Sequence, residues 1–115
     1  MQAQCRLFVA SDVRIQVRSG RWRVPDLIIF ADELPADRYP PTPPAGVVEI
    51  LSPDDSLDSL ITKLDEYREF GVPHTWVVDP EHRRVYKHES GDLIQVNAIE
   101  FPERGFLLDA SEIFG

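Results

Sequence analysis

Two acidic residues stand where buried strand is expected. Asp26 opens the apolar run of "RVPDLIIF", and Glu49 lies inside "GVVEIL". In an extended "VVEIL", Val47, Glu49 and Leu51 share one face, while Val48 and Ile50 share the other. A lone buried carboxylate forfeits several kcal/mol of hydration, so Glu49 must be protonated, paired or bound to a metal. Lys63 is the candidate partner. It flanks the apolar stripe of "SLDSLITKLDEYREF", one turn after Leu60 and one before Tyr67, away from an outer face holding Ser59 and Glu66. A helix that turns back over the Glu49 strand carries Lys63 about 11–15 Å along its axis at ~1.5 Å per residue. Glu49 lies roughly 7–10 Å back from the strand end at ~3.3 Å per residue. The flexible lysine stem closes the difference.

Two carboxylates and an ammonium in one pocket are the parts of a metal-dependent phosphodiesterase. Carboxylate oxygens at Asp26 and Glu49 suit a hard Mg²⁺ or Mn²⁺ ion, which polarises a phosphate and acidifies a bound water. Lys63 then orients or activates that water and offsets charge in the transition state. Spacing alone leaves a second reading open: a partly buried Glu49–Lys63 ion pair, with Asp26 capping a turn.

The elements that must position these groups follow from pattern. "CRLFVA" and "VRIQVR" read as strands, and "SG" before "RWRV" marks a hairpin turn. Val13, Ile15 and Val17 point one way, Arg14, Gln16 and Arg18 the other. "DLIIF" and "GVVEIL" read as central strands. Between them "ELPADRYPPTPPAG" is a loop, because its prolines allow nothing else. "SPDDSLDSLITKLDEYREFGVP" is a helix, capped by Ser52 or Asp55 and stopped by Gly71 and Pro73. Leu57, Leu60, Ile61, Leu64 and Tyr67 form its apolar stripe. "TWVVD", "RRVYKH" and "DLIQVNA" then form a meander. The tail is expected to pack Phe106, Leu107, Ile113 and Phe114 on the body. The fold class is therefore α+β with an α/β centre, one domain over residues 1–115.

Composition narrows the function. The net charge of −8 argues against a general nucleic-acid coat protein. Its distribution is uneven: residues 1–23 carry five arginines against Asp12 alone, a net of +4, and the remainder carries −12. Arg14 and Arg18 are the candidates for phosphate contact, against the plainer reading of a charged strand edge that resists aggregation. No apolar run approaches a membrane span, and the opening "MQAQCRLF" lacks the basic-then-apolar-then-small pattern of a signal peptide. One cysteine, Cys5, excludes an internal disulfide and a thiol-rich zinc site, and is expected to be a small buried or edge residue. The expected location is the cytoplasm. No glycine-rich nucleotide motif or other organic-cofactor signature occurs. The three histidines lack ligand spacing. Trp76, Tyr67, Phe70 and Phe101 read as core. Asp79, before Pro80, shapes a turn.

The "PD" of "VPD", a gap, and the acid of the next strand resemble the PD-(D/E)XK nuclease pattern, with Asp26, Glu49 and Leu51 at its positions. More specifically, "RVPDLIIF…PPAGVVEILSPDD…KLDEYREFGVPHTWVVDPEHRRV" resembles the Uma-two family, a large bacterial group described as restriction endonucleases. The resemblance runs from about Leu7 to the C-terminus. It implies a restriction-endonuclease-like mixed sheet flanked by one main helix, and Mg²⁺-dependent hydrolysis of DNA. It also implies that the lysine missing at Leu51 is supplied from the following helix, where Lys63 matches. Family members usually carry an N-terminal segment before the equivalent of "CRLFVA", and this chain begins almost at that point. The alternative is accordingly an inactive nuclease-fold protein that serves as an oligomerising or protein-binding module. A homodimer or a larger closed oligomer is expected, formed through the N-terminal strands or the C-terminal meander.

Overall fold

The computed structural model describes residues 6–36, 38–89 and 91–115; Cys5 lies outside them. Its strands are β1 (Leu7–Ala10), β2 (Ile15–Arg18), β3 (Arg21–Arg23), β4 (Leu27–Ala31) and β5 (Gly46–Ile50). Helix α1 (Leu57–Phe70) precedes β6 (His74–Asp79), β7 (Arg84–Glu89), β8 (Asp92–Val96), β9 (Ala98–Phe101), β10 (Phe106–Asp109) and a short helix α2 (Ala110–Phe114). Six strands form one mixed sheet in the order β1-β4-β5-β6-β7-β8. Only β5 and β6 run parallel, joined by the α1 crossover. The fold is thus α+β, a mixed sheet with one main helix and a β-α-β unit at its centre.

Strand parity divides the sheet into two packed faces. Val47, Ile28 and Val77 lie with Leu60, Leu64 and Tyr67 of α1 and with Ile15 and Val17 of β2. Val48, Ile29, Trp76 and Val85 lie on the reverse side with Ile99 and Phe101. The β2–β3 hairpin therefore covers α1, and the β9–β10 hairpin with α2 covers the other face. No helix among the described residues is long and apolar enough to cross a membrane.

Helix α1 starts later than the sequence predicts. Ser56 is its N-cap, accepting from the Ser59 N–H at 3.1 Å. Ser52 and Asp55 instead close a turn of their own, with the Ser52 N–H donating to Asp55 Oδ2 at 2.9 Å. Leu57 consequently falls outside the stripe and is exposed. The end is as expected: Gly71, at φ 111°, takes the left-handed cap that a side chain would resist. Glu66 is not on an outer face. It is buried, because the hairpin lies over that side of the helix and brings Arg21 and Arg23 to it. In the tail Phe106, Ile113 and Phe114 pack as expected, but Leu107 is exposed and Leu108 packs instead. The alternation of β10 sends residues 106 and 108 inward.

Gly46 sets how closely β5 and its neighbours approach. A methyl there would stand 2.8 Å from Trp76 Cζ3 and 3.0 Å from Phe101 Cζ, two rings buried in one aromatic cluster with His74. Gly46→Ala should therefore destabilise the fold by about 1–3 kcal/mol through overpacking, read as a lower urea midpoint at unchanged slope. Unchanged stability would mean that the ring cluster yields.

Candidate active site

The strand register brings the two carboxylates together. β4 pairs with β5 through Leu27–Val48 and Ile28–Val47, so extending the ladder one step places Asp26 opposite Glu49. At this point side chains take over the ladder. The Asp26 N–H donates to Glu49 Oε2 at 3.1 Å, and the Ile50 N–H donates to Asp26 Oδ2 at 2.7 Å. Asp26 is exposed at the strand's start, whereas Glu49 is only 3% exposed.

Helix α1 closes the site from above. Lys63 Nζ stands 3.9 Å from Glu49 Oε1, with a third of its side chain exposed. One turn later the Tyr67 hydroxyl donates to the same oxygen at 3.0 Å. Asp26, Glu49 and Lys63 therefore converge as the strand and helix repeats predict. Tyr67 is core, as expected, but it is also a member of the site. A buried phenol needs a partner for its hydroxyl, and its i+4 spacing from Lys63 was the available signal.

Burial is the largest influence on Glu49 and pushes its carboxyl above the usual range. The Asp26 N–H acts against that, and the Asp26 charge then adds to it by more than Lys63 relieves. Tyr67 is likewise pushed up, first by burial and then by the Glu49 charge, so it stays a hydrogen-bond donor. The site is short of positive charge. Among the described residues no cluster of three or more His, Cys, Asp or Glu is placed to hold a metal; the acidic donors here are the two carboxylates.

A second ionic group braces the site without joining it. Glu66 accepts from Arg21 Nε at 2.8 Å, and its other oxygen meets Arg23 Nη2. Burial acts to raise the Glu66 carboxyl, but the two arginines outweigh it and hold it below the usual range. This pair fixes β3, whose chain leads through Val24 and Pro25 to Asp26. Arg14 and Arg18 point away from the helix and do not meet the Asp26–Glu49 pair; Arg14 lies over Trp22 and Tyr39. Asp79 holds its turn through His82, accepting from the backbone N–H at 3.2 Å.

The raised Glu49 carboxyl has a pH signature in metal-free protein. Stability from such a group is full below its unfolded value, near 4.5, and is lost as pH rises through the higher folded value. Glutamine has no such loss. The stability of Glu49→Gln relative to wild type should therefore rise as pH increases above about 4.5, until the folded carboxyl has ionised, whatever the constant cost of its altered hydrogen bonds. Denaturant unfolding in chelator measures this, and a flat difference would exclude a raised Glu49.

The same architecture occurs in a crystal structure of a "putative nuclease belonging to DUF820" from Anabaena variabilis ATCC 29413. The TM-score is 0.74 at 17% identity, covering 94% of this chain and 68% of that one. No curated protein matches the chain in sequence. A family model, Uma2, described as "Putative restriction endonuclease", matches residues 1–114. The chain belongs to the Uma2 family.

Proposed function

We propose that this protein is a metal-dependent endonuclease that hydrolyses DNA phosphodiester bonds. Asp26 and Glu49 are the metal ligands in this reading, and Lys63 attends the attacking water. The observation that carries it is the meeting of Asp26, Glu49 and Lys63 at the open end of the β4–β5 ladder. The family description and the name of the structural neighbour point the same way.

The donor set fits Mg²⁺ or Mn²⁺. Hard oxygen ligands are present, and a magnesium site commonly uses one or two carboxylates and is completed by water and phosphate. Only Oδ2 of the exposed Asp26 accepts a hydrogen bond among the described residues, which leaves Oδ1 as a donor atom. The mutual repulsion of the two carboxylates favours a cation between them. When bound, the ion polarises the phosphate and lowers the pKa of a coordinated water. Tyr67 and the Asp26 N–H hold the Glu49 carboxylate in one orientation. Lys63, tethered loosely and partly exposed, is free to reach a water or a phosphoryl oxygen and to offset the charge that grows there. Hydrolysis adds the water oxygen to phosphorus and releases a sugar oxygen, which takes up a proton. A reducing cytoplasm is the compartment we propose for this activity.

Calorimetric titration of Mn²⁺ into wild type and Asp26→Ala tests the metal site. Binding by the wild type alone is expected, and equal binding or none in either excludes it. Lys63→Met should keep stability within about 1 kcal/mol of wild type, because its ion pair is long and solvated. Cleavage of plasmid or oligonucleotide DNA should fall by about 100-fold or more. A folded wild type that binds Mn²⁺ but cleaves no nucleic acid favours the non-catalytic module.

A homodimer remains part of the proposal on a separate observation. β1 and β8 are the open edges of the six-stranded sheet, and the apolar groove beside β1 leaves Val9 and Ile50 exposed. A second copy of this chain would cover that edge by isologous contact. Light scattering at micromolar concentration decides it: twice the chain mass is expected, and a monomer excludes the dimer.

A further inference from the structure

The β2–β3 hairpin has two faces of different character. Ile15 and Val17 are buried against α1, and Arg21 and Arg23 are held by Glu66. The outward face carries Arg14, Gln16, Arg18 and Trp22, all exposed. Trp22 is 42% exposed and meets Tyr39, itself 43% exposed, edge to face with centroids 5.4 Å apart. The Arg14 guanidinium lies 6.0 Å from the Trp22 ring centre and 5.8 Å from that of Tyr39. Arg38 stands 5.4 Å from the Tyr39 ring. Among the described residues Arg14, Arg18 and Arg38 form no ion pair, whereas Arg21, Arg23 and Arg104 do. Two half-exposed aromatic rings thus sit beside the guanidinium groups of Arg14 and Arg38, with Arg18 on the same strand face as Arg14; none of the three arginines is ion-paired among the described residues, on a chain whose net charge is −8.

That combination matches one chemistry. The ring faces offer stacking area to any base, and the guanidinium groups offer donors to phosphates. In a duplex the base faces are covered by their neighbours, so a ring can stack only on an unpaired or extruded base. The strand would not have far to run. Trp22 is four residues from Asp26, at most about 14 Å of chain.

We propose that the outward face of the β2–β3 hairpin, with Arg38 and Tyr39 of the neighbouring loop, binds single-stranded DNA. Trp22 and Tyr39 stack on bases, and Arg14, Arg18 and Arg38 contact phosphates, which delivers an unpaired strand to Asp26 and Glu49. The inference rests on the nuclease reading for its substrate and adds that the strand is unpaired where it enters.

The chain's two tryptophans make the test direct. Trp22 is half-exposed and Trp76 is 1% exposed, so only the first should respond to a stacked base. A mixed-sequence single strand of about twenty nucleotides, and the duplex of the same sequence, are titrated in chelator with tryptophan emission and anisotropy as readouts. The single strand should quench emission and bind more tightly than the duplex. Trp22→Leu should abolish the quench and weaken binding about ten-fold or more. Arg14→Gln should flatten the slope of log affinity against log salt by about 0.7. Trp76 emission reports that Trp22→Leu is folded, and Tyr39→Ser provides a second variant with the same expected loss. Equal affinity for duplex, unchanged binding by both ring variants, or no binding by wild type overturns the proposal. Duplex cleavage untouched by Trp22→Leu would sink this face and leave the nuclease reading standing. Ring-dependent strand binding with no cleavage would do the reverse.

Discussion

Removing the Glu49 carboxylate from water is the constraint to which the surrounding structure answers. The compensating groups come from two separate parts of the chain: a backbone N–H from the residue entering β4, and a phenol and an ammonium from successive turns of α1. A buried, half-satisfied carboxylate is costly, so strand register and helix height cannot drift independently. A slip of one residue in β5 would exchange Glu49 for a valine and turn the carboxylate onto the aromatic side of the sheet. The compensation is also incomplete, since the charge of Asp26 outweighs that of Lys63 at Glu49. The remaining deficit is electrostatic and local, the kind that a cation fills.

The two faces of the sheet divide the work. On the reverse side Trp76, Phe101 and their neighbours form an apolar and aromatic core, with the His74 ring stacked at its margin and paired with Glu103. On the helix side the core holds the buried carboxylates of Glu49 and Glu66, and the buried His88 ring beside Asp65 of α1. The Glu66 carboxylate is closed off by two arginines. It ties the hairpin to the helix and so fixes the corner from which Asp26 projects. Here a buried ion pair serves orientation, holding β3 at a set height over α1.

Much of this was legible in sequence because it rests on fixed repeats. Strand parity placed Glu49 with Val47, and the helical rise placed Lys63 within reach of it. The missed features depend on what lies across from a residue. The pattern of α1 gives the direction of Glu66 but not the hairpin that buries it, whose arginines are over forty positions away. Tyr67 read as core because the partner of its hydroxyl comes from another element. The cap moved from Ser52 or Asp55 to Ser56 because two local hydrogen-bonding schemes compete in "SPDDS", and the turn uses the first serine. The resemblance carried by "VPD" and "VVEILSP" supplied the chemistry that spacing alone had left open between a metal site and an ion pair.

β4 and β5 are antiparallel neighbours that a two-residue turn can join, yet residues 32–45 lie between them. Lengthening a loop is inexpensive, roughly 0.6 kcal/mol for each doubling. The segment begins and ends away from the Asp26–Glu49 end of the ladder, and it carries Arg38 and Tyr39 to the outward face of the hairpin. Insertions and deletions there can therefore reshape the surface beside the hairpin while the register that clamps Glu49 stays untouched. In evolutionary terms the fold separates the Asp26–Glu49 pair from a surface free to diversify, with one loop between two adjacent strands as the part that can vary.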